Sequence, residues 1–132
     1  EMCIRDRAAL EPSADDRLSA KTENAVLEFL RAGPELSVDA LVRLYAPDLT
    51  LPAFSLLVSR WAHDLMRSAL GLQPRYFIDE NAAIERLASH TDAKRAAGFC
   101  TQALSCRRAA DHTLNPKQTV ESVLLRYKQI FQ

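Results

Sequence analysis

Residues 51–70, LPAFSLLVSRWAHDLMRSAL, carry the most regular hydrophobic pattern in the chain. Apolar side chains recur every three or four residues, as they do on one face of an α-helix. That face consists of Phe54, Leu57, Val58, Trp61, Leu65 and Ala69. Pro52 falls in the first turn, where a helix tolerates proline, and Gly71 follows the last turn. The stretch therefore predicts a long central helix that buries Trp61.

Five further segments have helical periodicity, and none shows the alternation typical of a β-strand. They cover about residues 21–32, 37–45, 79–88, 92–110 and 115–131. Capping residues mark several helix starts, namely Ser37, Asp79, Thr91 or Asp92, and Asn115 followed by Pro116. The predicted core side chains of the later helices are Phe99, Val120, Val123, Leu124 and Tyr127. These patterns predict an all-α fold, a compact bundle of about six helices.

The length of 132 residues suits a single domain. Residues 1–19 contain few apolar side chains, and we expect a disordered or foreign segment there. Residues 1–6, EMCIRD, look like a translated sequencing adaptor, with a natural but disordered start as the alternative. Residues 20–132 are predicted to form a helical oligomerisation domain at the C-terminal end of a longer chain.

The charge balance and the cysteines limit the partners and the location. The chain has 17 basic and 17 acidic side chains, so nucleic acid is not expected as its main partner. Three cysteines at irregular spacing argue against a disulfide framework and favour a reducing, cytoplasmic location. Since no apolar run reaches about 18 residues, we expect no membrane-spanning segment.

The sequence offers no combination of residues that predicts catalysis or metal binding. The three histidines, His63, His90 and His112, lie on different segments. Cys100 and Cys106 point about 240° apart on a helix, so they cannot ligate one metal. With 3 glycines in all, no phosphate-binding loop is present. We predict that the chain has no catalytic, cofactor-binding or metal site.

Two charged residues fall on or beside predicted apolar faces. Asp64 lies one turn after Trp61, and Arg107 lies within the stripe that contains Cys100 and Ala103. Burying a charge without a partner costs roughly several kcal/mol. This cost favours a structural Asp64–Arg107 ion pair. The alternatives are that one of them reaches a neighbouring subunit, or that each extends its charged end into solvent.

Leu125 is an apolar residue on a predicted polar face. It points about 160° away from Tyr127 on the last helix, among side chains that include Glu121 and Lys128. Single exposed leucines are common and need no special reason. In a domain that binds other subunits, however, Leu125, Glu121 and Lys128 become the candidate subunit interface.

Several runs of the chain resemble the C-terminal domain of the bacterial DNA polymerase III delta-prime subunit, over about residues 51–131. The first runs are RWAHDL at 60–65, Gly71 and PRYF at 74–77. The later ones are Arg107-Arg108, His112, LNP at 114–116 and ESVLLRY at 121–127. Each run is short, but their order and spacing together are fairly specific.

The resemblance implies a role in DNA replication. In that family the C-terminal domains of five subunits form a collar, which holds the clamp loader together while it opens the sliding clamp. The expected partners are therefore clamp-loader subunits of the gamma/tau and delta types. The phosphate loop, zinc-binding cysteines and arginine finger of the family belong to an N-terminal part, and none of them maps onto this sequence.

Two other readings remain open at this stage. An unrelated helical adaptor or regulatory domain would have a similar composition. A weak nucleic-acid-binding helical domain would use basic side chains, namely Arg60, Arg67, Arg75, Arg107, Arg108 and Lys117. A steep salt dependence of DNA binding would distinguish the second reading.

Overall fold

The computed structural model of the chain describes residues 19–42, 49–108 and 115–132, without the side chains of residues 41, 42, 107 and 108. Within these ranges the chain forms six α-helices, two short 3-10 turns and no strand. The helices are α1 (Ala20–Ala32), α2 (Val38–Val42), α3 (Leu51–Ala69), α4 (Asn81–Ala88), α5 (Ala93–Arg108) and α6 (Pro116–Gln129). The 3-10 turns are Gly33–Glu35 and Ile78–Glu80. The predicted all-α fold is confirmed.

Helix α1 begins at Ala20. Ser19, the last residue of the predicted N-terminal segment, accepts at its Oγ a hydrogen bond from the Thr22 backbone N–H at 3.2 Å. Ser19 is thus the N-cap of α1. The remainder of that segment, residues 1–18, lies outside the described residues.

Helix α3 is the centre of the bundle. It packs most extensively against α5 and next against α4, while α1 and α6 contact it from other sides. The structure buries all ten predicted core side chains, which are Phe54, Leu57, Val58, Trp61, Leu65, Phe99, Val120, Val123, Leu124 and Tyr127. Trp61 has no exposed surface. None of the helices among the described residues is long and apolar enough to cross a membrane.

The ends of α3 follow the sequence signals. Thr50 accepts a hydrogen bond from the Ala53 backbone N–H at 3.3 Å, and Pro52 lies in the first turn. Gly71 has a φ of 82°, which places it in the left-handed region that favours glycine. The chain therefore turns back after α3 and runs along it as the connector of residues 72–77.

One predicted helix cap is wrong, and for another helix the structure decides between two predicted caps. The prediction that Asp79 caps the fourth helix is wrong, because α4 begins at Asn81 and Asp79 lies within the preceding 3-10 turn. Glu80, at the N-cap position, makes no cap hydrogen bond and instead forms a bidentate pair with Arg31, at 2.7 and 3.1 Å. At α5 the cap is Asp92, whose Oδ1 accepts from a backbone N–H at 2.8 Å.

Replacing Gly33 with alanine is expected to destabilise the chain by about 2 kcal/mol. Gly33 has a φ of 57°, and a Cβ added there would lie 2.3 Å from Leu87 Cδ2, where α1 meets α4. The methyl group would therefore strain the backbone and displace a core leucine. Urea denaturation measures the loss, and Gly98→Ala is the control, since a Cβ at Gly98 meets nothing within 4 Å. Equal midpoints for Gly33→Ala and the wild type would contradict the close approach.

Candidate functional site

Helix α6 carries the residues that the sequence singled out for subunit contact. It begins at the predicted Asn115-Pro116 cap, where Asn115 Oδ1 accepts from the Gln118 backbone N–H at 3.1 Å. One face of α6 belongs to the core and the opposite face is exposed. The position of α6 against the bundle therefore decides which surface the chain can offer to another protein.

The buried face of α6 is fixed by a chain of hydrogen bonds through Tyr127. Its hydroxyl oxygen accepts from Trp61 Nε1 at 2.9 Å and donates to the backbone carbonyl of Leu30. These bonds join α6 to α3 and α1. Burial raises the pKa of Tyr127 well above its ordinary value, so the hydroxyl stays protonated and keeps donating. Trp61 also packs edge-on against Phe77, with ring centroids 5.2 Å apart.

The exposed face of α6 contains the three candidate interface residues, and the structure separates their roles. Leu125 is 37 % exposed, a large aliphatic side chain on the outside of the bundle. Glu121 is half-buried. Lys128 is half-buried as well, and its Nζ donates to the Leu36 carbonyl at 2.9 Å. Lys128 therefore ties α6 to the α1–α2 connection within the chain, and Leu125 is the most accessible of the three.

Sequence reasoning missed Val38, which is 44 % exposed. It lies in the first turn of α2, a short helix that packs against α6. Two exposed aliphatic side chains, Val38 and Leu125, thus lie on elements that contact each other. No periodicity marks Val38 in the sequence, because α2 spans too few residues for a stripe.

Asp64 is satisfied by backbone donors of the connector. Its carboxylate is fully buried, with Oδ1 accepting from the Arg75 N–H at 2.8 Å. Its Oδ2 accepts from the N–H groups of Tyr76 and Phe77 at 3.0 and 2.8 Å. Hydrogen bonds to a carboxylate are among the stronger ones in proteins, so Asp64 anchors the connector to α3.

The predicted Asp64–Arg107 ion pair stays a prediction, because the Arg107 side chain lies outside the described residues. The sequence did contain a signal for the backbone partners. Pro74 excludes a helix in the connector, so the N–H groups after it must find acceptors elsewhere. A carboxylate on the facing helix is a suitable acceptor.

The connector also has an aromatic side that covers α3. The Tyr76 ring lies under two guanidinium groups, with the Cζ atoms of Arg60 and Arg75 at 4.9 and 5.3 Å from its centroid. His63 packs against the same ring, with centroids 5.7 Å apart. Arg67 Nε donates to the Gln73 carbonyl at 2.7 Å. Three of the basic side chains that a nucleic-acid site would use are therefore engaged by the chain itself.

A groove runs between α5 and α6, and sequence reasoning did not find it. Its floor is formed by the buried side chains of Phe99, Ala103 and Val123, and Arg126 stands on its rim. Near Cys106 it has a volume of about 400 Å³, and a second stretch near Gly98 and Ile130 has about 570 Å³. Phe99, Gln102 and Arg126 line both stretches, so the two stretches lie side by side.

The described cysteines have structural surroundings. Cys100 is buried, and its Sγ donates to the Ser59 carbonyl at 3.4 Å. Cys106 is half-buried, and this burial raises the pKa of its thiol although nearby Arg126 lowers it. Among the described residues no three His, Cys, Asp or Glu side chains come together as ligands for a metal ion.

Comparisons with known proteins identify no family. A scan against protein-family models gives no match, and searches of curated proteins and of solved structures give none either.

Proposed function

We propose that this chain is a subunit-assembly domain of a bacterial clamp loader, equivalent to the collar domain of the delta-prime subunit. Its partners would be clamp-loader subunits of the gamma/tau and delta types, and it would act in the cytoplasm during DNA replication. The domain would contribute no catalysis of its own. Its work would consist of holding neighbouring subunits in place through the exposed faces of its helices.

The observation that best supports this proposal is that three of the runs carrying the resemblance meet in one contact network. RWAHDL of α3 and PRYF of the connector are joined by the three hydrogen bonds of Asp64. ESVLLRY of α6 joins the same network through the bond between Trp61 and Tyr127. These runs, distant in sequence, thus belong to one folded unit, as the resemblance implies.

A competition experiment tests the proposal. No phosphate-binding loop is predicted within the 132 residues, so we expect them to occupy the delta-prime position in a clamp loader and to produce an assembly that loads poorly. We expect added chain to reduce ATP-dependent loading of the sliding clamp by a reconstituted loader, and added full-length delta-prime to reverse this. Loading that stays constant at a large excess of the chain would contradict the proposal and favour an unrelated helical adaptor.

The nucleic-acid alternative is tested in parallel by the salt dependence of DNA binding. A domain that uses several of its basic side chains on phosphates would lose affinity steeply between low and moderate salt. The contacts of Arg60, Arg67 and Arg75 within the chain argue against such a use. Weak binding with a shallow salt dependence is the result that the assembly proposal expects.

Leu125→Ala is expected to weaken assembly more than folding. The side chain is 37 % exposed, so its truncation should change the free energy of unfolding by less than about 1 kcal/mol. If Leu125 lies in the contact, binding to the partner subunits should lose about 1 kcal/mol or more. Thermal melting and a titration against the subunits measure the two effects. Normal binding by Leu125→Ala would place the contact on another face.

A further inference from the structure

The groove between α5 and α6 has the length and shape of a helix-binding site. It extends along α5 from Arg95 to Cys106, which corresponds to about 16 Å or three helical turns. In the stretch near Cys106 the floor is apolar, and the amide side chains of Gln102 and Gln118 lie on opposite walls. The stretch near Gly98 is lined mainly by polar side chains, with Phe99 and Ile130 as its apolar part. An amphipathic helix meets these requirements, since its apolar stripe would cover the floor while its flanks face the rim.

Gly98 indicates how closely such a helix could approach. It lies on the groove wall in the middle of α5 and is exposed. Glycine is among the least favourable residues within a helix, so a structural reason for it is expected. The fold supplies none, because a Cβ at Gly98 would meet nothing within 4 Å and its φ is not positive. Without a Cβ, however, the backbone of α5 is open to another backbone.

The charge of the groove specifies its occupant further. Arg126 lines both stretches, and no acidic side chain of the described residues lines either one. Arg95, the other cation at the groove, is engaged by Asp92 and by the Gln132 carbonyl. Arg126 is therefore the charge that a bound helix would meet, and a carboxylate on that helix would complement it.

We propose that this groove binds one amphipathic helix of a neighbouring subunit, with a carboxylate facing Arg126 and with its closest backbone approach at Gly98. The inference rests on the proposed function, because the neighbour is a gamma/tau-type or delta-type subunit of the clamp loader. The groove contact would adjoin Leu125, which lies about 20° from the groove residue Gln118 around α6.

Gly98→Leu tests the groove with the complete 132-residue chain. Leucine favours the helix, so the variant should melt at or above the wild-type temperature, by about 3 °C at most. Its side chain would fill the path of the bound helix and should raise the Kd for the partner subunits at least about tenfold. Ala82→Leu, an exposed position on α4 away from the groove, is the matched control and should bind normally.

Arg126→Glu tests the charge independently and is decisive if Gly98→Leu melts below the wild type. Repulsion of the partner's carboxylate should raise the Kd about tenfold, whereas Lys21→Glu on α1 should leave it unchanged. Wild-type binding by both groove variants would overturn the groove proposal and leave the proposed function intact. If the wild-type chain itself binds neither subunit type, the proposed function fails and the groove proposal fails with it.

Discussion

Tyr127→Ala is expected to lower the free energy of unfolding by about 4 kcal/mol. The ring is fully buried and packs against Phe99 and Phe131, with centroids 5.4 and 5.1 Å away. Its removal leaves a cavity between α1, α3 and α6, and it leaves the N–H of Trp61 and the carbonyl of Leu30 without a partner. Urea denaturation monitored by circular dichroism measures the loss. A loss below about 1 kcal/mol would contradict the packing described for α6.

Tyr127→Phe is the matched control, because it keeps the ring and removes only the hydroxyl. We expect a loss of about 1–2 kcal/mol, from a buried donor and a buried acceptor that lose their partner. The free energy of unfolding at alkaline pH gives a second measurement. The pKa of Tyr127 is raised in the folded chain and lies near about 10 in the unfolded one. The protonated Tyr127 hydroxyl therefore contributes fully to the free energy of unfolding below about pH 10, and its contribution declines above that pH. Tyr127→Phe should lack this decline.

Asp64→Ala is expected to destabilise the chain by about 3 kcal/mol. The substitution leaves three backbone N–H groups of the connector without their acceptor and removes these hydrogen bonds between the connector and α3. Asp64→Asn is the control for charge. Its single acceptor oxygen replaces two, so an intermediate loss of about 2 kcal/mol is expected. Chemical denaturation measures both losses. Stabilities within roughly 0.5 kcal/mol of the wild type, the range of neutral surface changes, would show that other contacts are enough to hold the connector.

A double-mutant cycle decides whether Arg107 shares the Asp64 site. If the predicted ion pair forms, the losses from Asp64→Ala and Arg107→Ala should not add, with a coupling of about 1 kcal/mol or more. Additive losses would mean that the backbone donors alone account for the burial of Asp64. The cycle therefore separates the predicted partner from the partners that the structure describes.

The parts of the fold that depend on local sequence could be predicted. Helix α3 follows from its stripe and from its flanking Pro52 and Gly71, because periodicity, capping and termination are properties of neighbouring residues. The same holds for Asn115 at the start of α6. The cap at Asp79 was predicted wrongly because a 3-10 turn and an Asp cap have similar local signals, and the choice between them depends on tertiary contacts.

The contacts between distant segments could not be predicted. The bond between Trp61 and Tyr127 joins residues 66 positions apart, and the bond from Tyr127 to Leu30 spans 97. Trp61 and Tyr127 were both predicted to lie in the core, but no sequence pattern paired them with each other or with Leu30. The backbone partners of Asp64 and the groove beside Gly98 were missed for the same reason, since both depend on how elements are placed against each other. The clamp-loader proposal itself rests on the resemblance.

The central claim, that the chain works by binding other subunits of a clamp loader, is tested most directly by sedimentation velocity. The 132-residue chain is mixed with purified gamma/tau-type and delta-type subunits, with and without excess unlabelled delta-prime as competitor. We expect labelled chain to move with a complex that contains one copy of the chain, and delta-prime to displace it. Labelled chain that sediments as it does alone, at subunit concentrations that assemble with delta-prime itself, would show that the chain is not a clamp-loader assembly domain.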